Sequence, residues 1–338
     1  MSEKVLSISI ACYNVEKTLR DTLNPLLESN VLDALDVMII DDGSKDDTAD
    51  IGREYEKKYP GVFRLIQQQN GGWGATVNTG IREAKGKYFK QLDGDDYYRP
   101  ENMKSFIECL KNTDSDLVIS PYIEYDEATK KILNTVNCNP QSIVKEKLML
   151  KDVGGFAPFM HSLCVRTEIL RNGSVAITEH CFYTDTEFVL KACNQASTVL
   201  FFDEVIYCYR RASNGQSMSL TGFEKHYMEQ YKVIQVLLNY RRKEVTRPEI
   251  RRLYDQLLFG TCLWQYLVML YISPNVKRKI QFIAYDLMLK RLAPDYYAKI
   301  DIGNVLMLRK RCYWGFAKAA RRQKEEDKRF TEDGRMLY

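Results

Sequence analysis

Short apolar runs and amphipathic stretches alternate through the first 120 residues. Val5–Cys12 is rich in Ile and Ser, and Val37–Ile40 is continuously apolar. Val62–Ile66, Tyr88–Leu92 and Leu117–Ser120 follow at similar length. Short runs of this kind predict buried strands. Between them, Leu19–Leu27, Thr48–Tyr59, Ala75–Ala84 and Asn102–Leu110 space their apolar residues by three and four, which predicts helices packed by one face. The alternation predicts βαβ units and a mostly parallel sheet covered on both faces. Right-handed crossovers bring the C-terminal strand ends to one edge, where open α/β sheets hold ligands.

After residue 120 the rhythm changes. Tyr122–Tyr125 and Lys131–Val136 predict a hairpin, Leu163–Arg166 and Val199–Tyr209 further strands, and Thr184–Ala196 a helix. From Gly222 the pattern is helical: Phe223–Arg242, Pro248–Ile272, Val276–Leu292 and Gly303–Lys324. Charge shifts at the same point. Residues 225–338 hold 24 Lys/Arg against 12 Asp/Glu, while residues 1–224 hold 25 against 33. A border near 220 therefore divides the chain into an α/β domain, residues 1–220, and a basic, mainly helical domain, residues 221–338.

The 338 residues suffice for these two domains, and 45% hydrophobic with 28% charged residues excludes a disordered chain. No run approaches the roughly 20 apolar residues of a membrane span. The start, MSEKVLSISIACYN, has no leader pattern, so a soluble, cytoplasmic protein is expected. Nine cysteines are scattered without a C-x-x-C pair, and only His161, His180 and His226 could assist a zinc site. Reduced, structural thiols are expected.

Candidate chemistry gathers at the predicted strand ends. The first ends in Ala11-Cys12-Tyr13-Asn14, the second in Asp41-Asp42-Gly43-Ser44, the third runs into Asn70-Gly71-Gly72-Trp73-Gly74, and the fourth ends in Asp93-Gly94-Asp95-Asp96. Asp41 and Asp42 read equally as turn and cap residues. The Asn70 turn fits neither G-x-G-x-x-G nor G-x-x-x-x-G-K-[ST], which argues against a dinucleotide enzyme or an ATPase. Three carboxylates within Asp93–Asp96 repel unless neutralised, and a hard divalent cation bridging to a diphosphate would do this. Asp185, in Thr184-Asp185-Thr186-Glu187, reads either as a helix cap or as a proton acceptor for an attacking hydroxyl. Arg210 and Arg211, before the loop Ser213–Ser219, could clamp a diphosphate.

Together the segments S-I-S-I-A-C-Y-N, I-I-D-D-G-S-K-D-D-T, N-G-G-W-G, L-D-G-D-D and T-D-T-E resemble family 2 glycosyltransferases, clearly over residues 4–125 and patchily to 220. The resemblance implies the GT-A nucleotide-diphospho-sugar transferase fold, a mostly parallel Rossmann-like sheet, followed here by the helical region. It implies transfer from a nucleotide-sugar, most often a UDP-sugar, with inversion. By the same resemblance Ala11 and Tyr13 line the base pocket, Asp42 and Asn70 hydrogen-bond the base, and Asp93 faces the ribose or donor sugar. Asp95 would hold Mn2+ or Mg2+ at the diphosphate, Asp185 would be the general base, and Arg210 would lie near the segment that closes over the donor. The chain departs from the family at Cys12, where Pro is usual, at Ala75-Thr76-Val77-Asn78, which lacks the usual Arg, and at Thr184, where Glu is usual. It also lacks the processive Q-x-x-R-W signature, so one sugar per encounter is expected.

Val305–Lys324 contains Arg309, Lys310, Arg311, Lys318, Arg321, Arg322 and Lys324 with no acid, interleaved with Leu306, Tyr313, Trp314 and Phe316. Such a segment suits an anionic membrane surface or a packed helix with a solvated basic face. Members of the family often use lipid-linked acceptors, so the expectation is a transferase acting on a glycan or lipid-linked acceptor, peripheral at the inner face of the cell membrane through residues 303–324. The alternative is a catalytically silent nucleotide-sugar-binding or scaffold protein. No nucleic-acid motif accompanies the basic tail, and no nucleic-acid partner is expected.

Overall fold

The computed structural model describes residues 4–140, 143–211 and 220–326. The chain divides into two compact units, Met1–Arg211 and Ala212–Tyr338. The loop Ser213–Ser219 lies outside the described residues.

In the first unit, β1 (Leu6–Cys12), β2 (Leu35–Asp41), β3 (Phe63–Gln67) and β4 (Tyr88–Asp93) form one half of an eight-stranded sheet in the order β3-β2-β1-β4, all parallel. Helices α1 (Leu19–Glu28), α2 (Thr48–Lys58) and α3 (Trp73–Glu83) follow β1, β2 and β3. All seven residues of β2 are buried, as are Leu6, Ile8 and Ile10 of β1, whose alternating Ser7 and Ser9 are buried too, so both faces of these strands are covered. Each large apolar side chain among them contributes about 1.5–3 kcal/mol on burial. Two of the buried polar members, Ser7 and Asp36, are paired with each other. Ser7 Oγ donates to Asp36 Oδ2 at 2.6 Å, and Arg64 closes on Asp36 at 2.9 Å.

The other half brings in the antiparallel strands, while four of the seven neighbouring pairs of the sheet are parallel. After β5 (Tyr97–Tyr98) and α4 (Pro100–Asn112) come β6 (Leu117–Ile119), β7 (Tyr122–Asp126), β8 (Ile132–Val136), β9 (Lys147–Met149) and β10 (Leu163–Arg166). Strand β10 enters antiparallel between β4 and β6. Then α5 (Thr167–Asn172) and α6 (Asp185–Gln195) lead to β11 (Thr198–Phe201), parallel to β6 and antiparallel to β9. The sheet is mixed because strand order depends on long-range pairing, which local periodicity does not encode. A second sheet, β5-β12-β7-β8, is closed by β12 (Tyr207–Arg211). The predicted hairpin is its β7–β8 pair.

The second unit is helical: α7 (Leu220–Lys243), α8 (Pro248–Tyr271), α9 (Val276–Leu292), α10 (Pro294–Lys299), α11 (Gly303–Lys310) and α12 (Phe316–Glu326). Pro248 opens α8 at a position where a missing N–H costs nothing, and the Asn275 side chain caps α9 by accepting from the Arg278 N–H at 2.9 Å. The single helix expected over Gly303–Lys324 is instead two. Cys312 and Tyr313 are left-handed at φ 48° and 62°, and Gly315 follows at φ 82°, so the chain turns between α11 and α12.

One charge of the basic segment also turns inward. Arg309 donates to Asp286, which is fully buried on α9, with Nη2 at 2.7 Å. Tyr266 and Tyr313 hydroxyls donate to the same carboxylate at 2.5 and 2.6 Å. Arg309 therefore belongs to the core of this unit, not to a solvated basic face. No helix among the described residues is long and apolar enough to cross a membrane.

Candidate active site

Four strand ends and the start of α6 build the site. At the end of β1, the Tyr13 side chain is half exposed, and Asn14 is left-handed at φ 54°. Asn14 is stitched to the turn after β2: its N–H donates to Ser44 Oγ at 3.0 Å and its Oδ1 accepts from the Lys45 N–H at 2.8 Å. The carboxylate of Asp41 faces the same turn, accepting from the Ser44 N–H at 3.0 Å. Asp41 thus has the turn-stabilising role that its sequence context allowed.

Asp42 is buried, and its carboxylate binds the glycine turn. It accepts from Gln68 Nε2 at 2.7 Å and from the N–H groups of Gly71 and Gly72 at 3.0 and 2.7 Å. Asn70, exposed at its surface, donates through Nδ2 to the Asp42 carbonyl at 3.0 Å. The resemblance gives Asp42 and Asn70 to the nucleotide base. Here Asp42 holds the loop that carries Asn70. The adjacent turn requires glycine: Gly43 has φ 76°, and a Cβ there would meet the Asn70 nitrogen at 3.1 Å.

The glycine turn delivers Trp73 and the start of α3. The indole N–H donates to Asp93 Oδ1 at 2.8 Å, and the ring packs edge-on against Phe188 of α6 with centroids 6.3 Å apart. Residues 177–180 lie against α3. Asn78 holds Ile177 in both directions, accepting from its N–H at 2.8 Å and donating to its carbonyl at 2.9 Å. Fully buried Glu187 accepts from the Thr178 N–H and hydroxyl and from Lys191 Nζ at 2.7 Å. Glu187 therefore positions the segment that leads into Asp185.

The carboxylates differ in environment. Asp93, half-buried at the end of β4, has its pKa pushed up to about 7 by burial, then by the negative charges of Asp95 and Asp185, against the Trp73 hydrogen bond. Asp95 is half-buried and raised by burial, with its own N–H and Arg210 pulling the other way. Asp96 is fully buried and raised well above the ordinary carboxylate range by burial and by Asp95 and Asp93. It accepts from the Tyr207 hydroxyl and the Arg210 N–H, both at 2.6 Å, and so joins β12 to the carboxylate turn.

Asp185 is the first residue of α6 and is open to solvent at its surface. Thr184 occupies the cap position without a side-chain cap hydrogen bond, so Asp185 is not the N-cap. Surrounding protein raises its pKa by desolvation, while the N–H groups of Thr186 and Asp185 lower it. Its charge acts on Asp93, so the structure brings these two carboxylates into one electrostatic field.

Arg210 differs from the expected diphosphate clamp. Its guanidinium is buried, with Nη1 donating to Glu127 at 2.9 Å and Nη2 3.6 Å from Asp21. From there it acts on Asp95 through charge. Arg211 donates to Glu124 at 3.1 Å.

Two groups that the sequence reading did not tie to the carboxylates are His161 and Lys90. His161 is set among Tyr122, Tyr207 and Tyr209, with ring centroids 4.6–4.9 Å away, and its Nδ1 is buried without a hydrogen-bond partner among the described residues. Burial, then Lys90 and Arg211, hold its pKa down to about 3, so the ring is neutral. Lys90 is fully buried on β4, donates to the His161 carbonyl at 2.7 Å, and is lowered to about 8 by desolvation. Ligand atoms of Asp93, Asp96 and His161 lie within 4.8 Å of one another. Two carboxylates and an unpartnered neutral imidazole nitrogen fit a divalent cation. The resemblance had named Asp95 alone; His161 is distant from Asp93 and Asp96 in sequence, and the entry of β10 beside β4 brings it to them. A separate groove of about 670 Å³, lined by Phe259, Leu263, Gly303 and Met307, belongs to the helical unit and shares no residue with this site.

Residues 7–165 match the profile of glycosyl transferase family 2. The chain is 26% identical to the uncharacterised glycosyltransferase EpsJ of Bacillus subtilis (strain 168), over 92% of each chain. It is 33% identical to the putative glycosyltransferase EpsH of the same organism, over 40% of this chain and 38% of that one. Among solved structures, S. aureus TarS 1-349 in complex with UDP-GlcNAc superposes with a TM-score of 0.65 at 19% identity, over 95% of this chain and 91% of that one. Residues 7–165 thus carry a glycosyl transferase family 2 domain on the GT-A fold, and with these relatives the protein is a transferase enzyme.

Proposed function

We propose that the protein moves a sugar from a UDP-sugar to a hydroxyl of a glycan or lipid-linked acceptor, with inversion at the anomeric carbon. The observation that carries this reading is Asp93 at the end of β4, whose pKa is raised first by burial and then by the charges of Asp95 and Asp185. Clustered carboxylates suit a divalent cation, which would in turn meet the anionic diphosphate of the donor. Similarity to a protein solved with UDP-GlcNAc supports a uridine nucleotide as the donor.

In this reading the half-exposed Tyr13 ring lies against the uracil beside Ala11, and Asn70 reaches the base from a turn held by Asp42. Asp93 faces the ribose or donor sugar, fixed in rotamer by Trp73. Asp93, Asp96 and His161, whose ligand atoms lie together, and Asp95, which the resemblance names, are the side chains that would hold Mn2+ or Mg2+. Such an ion, when bound, supplies Lewis-acid stabilisation of charge developing on the diphosphate. Asp185 takes the proton from the acceptor hydroxyl. The hydroxyl oxygen then forms its bond to the anomeric carbon on the face opposite the diphosphate, and the anomeric carbon–oxygen bond breaks with its electrons leaving on UDP. Arg210 supports Asp95 through charge from its buried position.

Thermal stabilisation by UDP and UDP-sugars, with and without Mn2+, tests the donor assignment, since binding to the folded state raises apparent stability. A Mn2+-dependent rise with UDP, lost in Asp95→Ala, is expected; no rise with any uridine nucleotide overturns it. Asp185→Asn is expected to abolish transfer while leaving UDP affinity nearly unchanged. Loss of UDP binding in that variant would assign Asp185 to the donor site instead.

A further inference from the structure

Helix α9 is apolar on two opposite faces. Phe282, Tyr285 and Leu289 are fully buried in the helical unit. Val276, Ile280 and Leu287 are 77%, 62% and 52% exposed, and Ile283 between them is half-buried. At 3.6 residues per turn these four fall within an arc of about 60°. Lys279 and Lys290 border the arc on one side, and Lys277 and Arg291 on the other. The only acid of α9 is Asp286, which is buried against Arg309 and adds no negative charge to this face. Beside the helix, Tyr313 hydrogen-bonds Asp286 and Phe316 packs on Phe282, fixing the turn that carries Trp314 at 79% exposure. Lys310, Arg311, Lys318 and Arg321 stand exposed on the same turn and helix.

We infer that this face of α9, with Trp314, is a docking surface for an anionic phospholipid membrane. Four aliphatic or aromatic groups in water are not explained by the core, which already takes the other side of the helix. Scattered exposed apolar residues need no explanation, but a helical stripe of them does. Cations along both borders match lipid phosphates on either side of an embedded apolar strip, and an exposed Trp suits the headgroup boundary. A protein partner would also cover the stripe, but the absence of exposed acids from α9 matches a uniformly anionic surface better. This surface adds the α9 stripe to part of the 303–324 segment that the sequence suggested, from which Arg309 is withdrawn into the core. The inference does not depend on the donor or the reaction assigned to the first unit.

The test uses the full chain in co-sedimentation with vesicles of phosphatidylcholine, alone or with about one-third phosphatidylglycerol. Binding is expected only with phosphatidylglycerol and is expected to weaken in high salt. The double variant Ile280→Ser/Leu287→Ser, altered only at exposed positions, is expected to lose about tenfold or more in partition. Brominated acyl chains are expected to quench fluorescence that is absent from Trp314→Phe. Undiminished vesicle binding by the double variant, or no binding by the wild type, overturns the inference. A wild-type dimer that the double variant turns into a monomer, measured by sedimentation velocity, overturns it in favour of a second copy of the chain.

Discussion

The Trp73 indole N–H donates to Asp93 Oδ1 at 2.8 Å, tying the glycine turn after β3 to the carboxylate turn after β4. This hydrogen bond favours the charged form of Asp93 against burial and two neighbouring acids. Trp73→Phe keeps the ring packing on Phe188 and removes the donor. The Asp93 pKa is then expected to rise further above about 7, and UDP affinity at neutral pH to fall severalfold. Isothermal titration of UDP with Mn2+ between pH 6 and about 9 checks this; an unchanged affinity across that range would remove the bond from donor binding.

Asp93 also sets a pH dependence in the metal-free protein. Its folded pKa of about 7 exceeds the unfolded value of 3.8, so the folded state binds its proton more tightly. Its contribution to stability is fully present below pH 3.8 and is lost as pH rises through 7. The melting temperature of Asp93→Asn, compared with wild type in a chelator, is expected to gain on it steadily over that interval. A constant difference would contradict the raised pKa.

Gly74 lets α3 approach the 177–180 segment closely. A Cβ at this position would stand 2.2 Å from the Thr178 carbonyl oxygen, a backbone atom that cannot swing aside. Gly74→Ala is expected to cost about 1–3 kcal/mol and to displace Asp185 through that segment, lowering transfer more than UDP binding. Urea denaturation and kinetics on the same preparation separate the two effects.

In the helical unit, Arg309→Met removes the cation from fully buried Asp286 while leaving the two tyrosine hydroxyls. Breaking one partner of a buried pair is expected to cost about 3–5 kcal/mol. Arg309→Met/Asp286→Leu is expected to recover much of the loss. A solvated Arg309, as the basic run alone suggests, would give a change within about 0.5 kcal/mol.

The local pattern of the sequence was enough for β1 to β4 and their helices, because each strand is a short segment rich in buried apolar residues and each helix spaces its apolar residues by three and four. It was enough for α9, whose ends match the pattern at Val276 and Leu292, since Asn275 caps one end and Pro294 follows the other. Asp93, Asp95 and Asp185 were legible as chemistry because carboxylates clustered at strand and helix ends have few other reasons to be there. The break at Arg311–Gly315 was not, since left-handed residues at Cys312 and Tyr313 are imposed by the docking of Tyr313 on Asp286.

Sequence by itself determined the βαβ order, the edge at which the carboxylates gather, and the family, because each depends on residues near one another in the chain. Tertiary structure alone decided which polar groups face the cleft and which are taken up inside. Asp42 turned to the Gly71 and Gly72 amides, Arg210 to Glu127, Asp96 to Tyr207, and Arg309 to Asp286. His161 reached the carboxylates through the antiparallel entry of β10 beside β4. A charged side chain in a sequence carries no sign of its partner; burial selects the partner, because a charge removed from water must be met by whatever donor or acceptor the fold brings within reach.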